Sequence, residues 1–93
     1  MTPLEKDIER HLRRVIGARG GFCLKWVCPG WAGVPDRICL LPGGRIIFIE
    51  LNRPGGVEAT RQAIWKERLL GLGFDCRTLW THEAVAEFEK ELK

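Results

Sequence analysis

Two apolar runs, Arg37 to Leu41 and Arg45 to Leu51, flank the tripeptide Pro42-Gly43-Gly44. Isoleucine- and leucine-rich runs on either side of such a turn read as a β-hairpin. The period of two along the second strand sets Glu50 and Asn52 on one face and Ile49 and Leu51 on the other. A carboxylate on an otherwise apolar strand must meet water, a cation or a metal, because burying it alone is costly. Asp36, at the start of the partner strand, supplies a second carboxylate, and register decides whether the two cooperate. A two-residue Gly43-Gly44 turn sends Asp36 and Glu50 to opposite faces. A three-residue loop with a left-handed glycine opposes Leu41 to Arg45 and Asp36 to Glu50, and this is the register we expect.

Around the hairpin, Gly and Pro clusters divide the chain into short pieces of alternating type. Residues 3–18 read as a helix with Thr2 as N-cap, Glu5 closing a Thr-x-x-Glu capping box, and Leu4, Ile8, Leu12, Val15 and Ile16 on one stripe. Phe22 to Cys28 alternates as a strand, and the stretch from Pro29 to Pro35 is an adaptable loop. Residues 58–72 return to helical spacing, with Gln62, Trp65, Leu69 and Leu72 on one side and Gly73 as the stop. Phe74 to Trp80 is a fourth strand, and Thr81 caps a last helix that turns Val85, Phe88 and Leu92 inward. The order αβββαβα fits an α/β (α+β) fold with a small mixed sheet flanked by helices. A right-handed crossover sets the fourth strand parallel to a hairpin strand.

The 93 residues, 45% apolar and 29% charged, suit one folded domain over 1–93. With no run of about 18 apolar residues and a charged start, the chain is expected in the cytoplasm. Four cysteines at Cys23, Cys28, Cys39 and Cys76 offer only one loose pair for zinc, and a reducing compartment disfavours disulfides; buried thiols are the expectation. Residues 1–56 hold nine Lys/Arg against five acids, whereas 57–93 hold six against seven, so a phosphate-bearing partner favours the first part.

Two carboxylates and a strand carbonyl, as from Leu51, form an oxygen-rich half-site suited to Mg²⁺ or Mn²⁺. Such an ion can polarise a phosphodiester oxygen and acidify an attacking water. The residues Gly33-Val34-Pro35-Asp36-Arg37, Gly43-Gly44, Phe48-Ile49-Glu50-Leu51, Arg53-Pro54-Gly55-Gly56 and Gln62 resemble the VRR-NUC family of PD-(D/E)xK nucleases from Glu5 to about Gly73. The resemblance implies a restriction-endonuclease-like core and Mg²⁺- or Mn²⁺-dependent cleavage of DNA, often branched, flapped or four-way. It also implies a homodimer of the stand-alone phage or bacterial type, in a bacterial or phage-infected cell. Asp36 and Glu50 then bind metal, Leu51 lends its carbonyl, and an acid of the first helix completes the site. Members carry lysine two residues after the motif glutamate; here Asn52 stands there. An amide can hold a water but brings neither charge nor a titratable group. Losing one such contact costs about 10²–10³-fold in rate, so cleavage is expected to be impaired unless Lys25 or Arg53 compensates. The alternative is an inactive DNA-binding module that keeps the nuclease fold.

The remaining candidates carry bland readings beside the functional ones. At about 100° per residue, Glu5 lies about 50° from the centre of the apolar stripe and Glu9 about 90°, so Glu5 is the better site acid, while Glu9 is either a supporting or DNA-contacting residue or, the reading we favour, part of a solvated flank. Gln62 either orients water or substrate or is a satisfied core amide. Lys25 is a supporting site residue or a plain exposed lysine. Trp31 either fills a subunit interface or stacks on a base. Arg37, with Arg10, Arg13 and Arg14, is a candidate phosphate contact.

Overall fold

Ile8, Leu12, Val15 and Ile16 fall on one stripe of α1 (Pro3–Gly17) and are all buried. The computed structural model describes residues 3–53 and 56–92, the side chains at 3, 4 and 56–58 apart. The Thr2 cap, the Leu4 side chain and the Pro54-Gly55 pair lie outside what the structure describes. β1 (Phe22–Lys25), β2 (Arg37–Leu41), β3 (Arg45–Glu50), α2 (Gly56–Gly71), β4 (Asp75–Thr78) and α3 (His82–Glu91) follow. The four strands form one sheet in the order β1-β2-β3-β4. β1, β2 and β3 pair antiparallel, and β4 joins β3 parallel, as the crossover rule requires.

The hairpin takes the three-residue loop: Leu41 pairs with Arg45 and Arg37 with Ile49. Gly43 and Gly44 sit at φ +84° and +76°, a region that side chains with a Cβ rarely adopt. Strand alternation then sorts the sheet into two faces. Cys39, Ile47, Ile49 and Leu51 pack with α1 and with Val85, Phe88 and Leu92 at α3. Phe48 and Ile38, on the other face, pack with Cys76 and with Leu69 and Trp65 of α2. The result is three layers, with α1 and α3 on one side of the sheet and α2 on the other. His11 and His82 bring their Nδ1 atoms within 2.9 Å, tying α1 to α3, and the Thr81 hydroxyl accepts the Ala84 N–H at 3.0 Å as the cap of α3.

Three expectations are corrected. β1 ends at Lys25, since the following stretch runs into Pro29 and Gly30 and leaves the ladder. β4 ends at Thr78 rather than Trp80. Leu72 belongs to no packed stripe, because α2 stops at Gly71 and leaves that side chain 74% exposed. The four cysteines are free thiols, with Cys39 and Cys76 buried.

Candidate active site

Asp36 leads into β2 and Glu50 closes β3. One step beyond the Arg37–Ile49 pair, the register sets the two acids opposite each other. Alternation puts both on the Ile38 and Phe48 face, beneath α2. Their backbones are clamped from outside: the Trp26 N–H donates to the Asp36 carbonyl at 2.8 Å, and the Leu79 N–H to the Glu50 carbonyl at 2.9 Å. Each carboxylate also accepts a backbone N–H, from Leu51 to Asp36 Oδ1 at 3.0 Å and from Asn52 to Glu50 Oε1 at 3.1 Å. Burial raises the Asp36 carboxyl above its ordinary range, against the opposing pull of the Leu51 N–H. A desolvated carboxylate gains from any cation placed beside it.

A cleft of about 160 Å³ separates this end of the sheet from α2. Glu50, Thr78 and Cys76 line it from the strands; Ala59, Gln62, Ala63 and Lys66 line it from the helix. Those four helix positions fall at i, i+3, i+4 and i+7, one face of α2, and the two alanines leave room between the polar side chains. Gln62 Oε1 is buried with no hydrogen-bond partner, which is costly for an acceptor unless something enters the cleft to satisfy it. The loop before Asp36 is pressed onto the same helix. A Cβ built on Gly33, at φ +91°, falls 2.5 Å from the Arg61 Cβ, so only glycine lets the loop lie this close.

Two carboxylates and an orphaned amide oxygen are hard donors of the kind that Mg²⁺ or Mn²⁺ prefers, with waters completing the shell. The residues fit such an ion. Among the described residues no group of three or more His, Cys, Asp or Glu side chains gathers to hold a metal. Asp36 and Glu50 are the two carboxylates that the hairpin register sets opposite each other.

No protein-family model matches the chain. A solved structure described as a "VRR_NUC domain" superposes with a TM-score of 0.81 at 22% identity, over 99% of this chain and 100% of that one. The chain is also 44% identical over 69 residues, 74% of each protein, to "Putative nuclease p44" of Acyrthosiphon pisum secondary endosymbiont phage 1. The chain belongs to the VRR-NUC nuclease family.

The other VRR-NUC candidate positions are distributed unevenly around the cleft. Arg37 is corrected: it is 7% exposed and its Nη2 donates to Glu9 Oε2 at 2.7 Å, so it is a buried ion pair and not a phosphate contact. Glu9 is corrected with it, from a solvated flank to the partner that neutralises Arg37 behind Asp36. Glu5 sits half-buried on the first turns of α1. Lys25 is exposed and pairs in register with Arg37, which places it on the face opposite Asp36 and Glu50. Arg53 stacks over the Trp80 ring at 5.2 Å. Trp31 is exposed and meets Trp65 edge to face at 5.8 Å. Asn52, half-buried, follows Glu50 by two residues. The sequence reading missed Lys66 and Thr78; the 59-62-63-66 spacing is the signal that could have found the lysine.

Proposed function

We propose that the chain is a Mg²⁺- or Mn²⁺-dependent endodeoxyribonuclease of branched or otherwise structured DNA, working as a homodimer. The observation that carries this is the convergence of Asp36 and Glu50 from opposing strands beside the unsatisfied Gln62. Asp36, Glu50 and the Leu51 carbonyl would hold the ion, with Glu5 as the acid contributed by the first helix. When bound, the ion supplies Lewis acidity to a phosphodiester oxygen and lowers the pKa of a water. Gln62 orients that water or a phosphate oxygen through its amide, and the Asn52 amide adds a neutral hydrogen bond. Lys6, Arg10 and Arg13 line a shallow pocket with Glu9 along α1 and give a phosphate backbone basic contacts on that side of the sheet. No helix of the described residues is long and apolar enough to cross a membrane.

Incubation of end-labelled four-way junction, flap and linear duplex with the protein and Mn²⁺ tests the reading. Incision of the structured DNA is expected, and Glu50→Gln is expected to lose it. Asn52 favours a second reading, a DNA-binding module without chemistry. Tight junction binding with no incision at any protein concentration would establish that alternative.

A further inference from the structure

Hydrolysis of a phosphodiester concentrates negative charge on the non-bridging oxygens. The water oxygen bonds to phosphorus, the ester P–O bond breaks with its electron pair on the leaving oxygen, and one of the water's protons ends there. A fixed cation near those oxygens is a large part of the rate. Asn52 cannot be that cation. Neither can Lys25 or Arg53, the two cations that could compensate for it, since Lys25 lies on the opposite face and Arg53 is stacked on Trp80. Arg37 is spent on Glu9.

Lys66 is different. Among the described residues it is the one cationic side chain lining the cleft that Glu50 and Gln62 also line. It stands one helical turn after Gln62 on the same face of α2, half-buried, with the small Ala63 side chain between. Cys76 lies on the floor of the same cleft; burial pushes its thiol up, with the Lys66 ammonium pulling it down and the Asp75 and Glu50 carboxylates adding to the rise. Lysine reaches on a four-carbon stem and presents a point charge, which suits a phosphate arriving from outside.

We propose that Lys66 supplies from α2 the positive charge that position 52 lacks, its ammonium contacting the scissile phosphate. Lys66 transfers no proton in this role; it stabilises charge. The proposal rests on the reading of the cleft as a hydrolytic site.

Single-turnover cleavage of one branched DNA with Mn²⁺ is compared for the parent, Lys66→Met, Lys66→Arg, Asn52→Lys and the Lys66→Met/Asn52→Lys double variant. Lys66→Met is expected to cut about 10²–10³-fold more slowly, Lys66→Arg to keep most of the rate, and the double variant to recover most of what Lys66→Met lost. A second readout needs no catalysis. In EDTA, the slope of log affinity against log salt is expected to shrink by about 0.9 in Lys66→Met and to hold in Lys66→Arg, as for one lost phosphate contact. Lys66→Met with the parent's rate and slope overturns the proposal and leaves the hydrolytic reading standing. A silent parent beside an active Asn52→Lys variant overturns it too, because position 52 then lacks a substitute. Silence from all five proteins removes the hydrolytic reading and this proposal together.

Discussion

Asp36 carries a cost that the proposed metal role would explain. Burial raises its carboxyl from the ordinary 3.8, so over a window above that value the folded chain holds a proton that the unfolded chain has released. Its contribution to stability is present at acid pH and is lost as pH rises through the folded value. Asp36→Asn keeps an acceptor for the Leu51 N–H and removes the ionisation. In EDTA at neutral pH the variant is expected to melt above the parent, with the gap closing below the ordinary carboxylate range; incision with Mn²⁺ is expected to fall at least about 10²-fold. Thermal melts across pH, run beside the junction assay, check both; a variant that melts below the parent at neutral pH contradicts the assignment of burial as the cause. Arg37 makes a complementary case. Its side chain is 8% exposed, its Nε has no hydrogen-bond partner, and Glu9 is its neutraliser. Glu9→Gln leaves that charge buried without its counter-ion and is expected to cost about 3 kcal/mol in urea unfolding, whereas Glu9→Leu with Arg37→Met is expected to recover most of the loss. If the double variant is as unstable as the single one, the pair is not what the region depends on.

The elements differ in how much of their placement the sequence contains. The hairpin is legible because its turn chemistry and its alternation agree on one register, and a slip by one residue would bury the wrong face. That same logic makes Asp36 and Glu50 legible, since their convergence follows from register alone. Lys66 is not legible in this way: its approach to Glu50 depends on where α2 lies over the sheet, which no periodicity encodes. The Glu9–Arg37 pair is hidden for a similar reason, joining residues 28 apart on a helix and a strand. What seats α2 is visible at Gly33, whose missing Cβ lets the loop before Asp36 touch the Arg61 backbone at close range. Gly33→Ala combines a strained φ with overpacking and is expected to destabilise by about 2–4 kcal/mol. It is also expected to slow incision at temperatures where the variant remains folded, because α2 carries Gln62 and Lys66 away from Glu50. Unfolding curves and junction cleavage by the same preparation separate the two effects, and a folded Gly33→Ala protein with the parent's rate would show that the cleft tolerates a shifted helix.

At the scale of the whole molecule, three layers leave one part of the sheet uncovered. α1 and α3 close one face, and α2 covers the β3–β4 side of the other. On the remaining part, Phe22, Leu40 and Ile46 are cross-strand neighbours in one row, with Leu24 beside them; they are 66, 37, 38 and 48% exposed respectively. β1 is also an edge strand. An open edge next to an apolar row invites a second copy of the chain, since pairing covers both at once. A symmetric dimer would carry two Asp36–Glu50 sites, a chemical basis for paired incisions in a branched substrate. Sedimentation equilibrium is expected to give about twice the 10.6 kDa chain mass, and Phe22→Lys with Leu24→Glu to return a folded monomer. Such a monomer should still nick one strand while losing the paired cut, because each cleft is built within a single chain. A parent that sediments at the chain mass up to its solubility limit removes the dimer and leaves the cleft chemistry unaffected. If the double variant stays dimeric, the second copy is held elsewhere than the β1 edge.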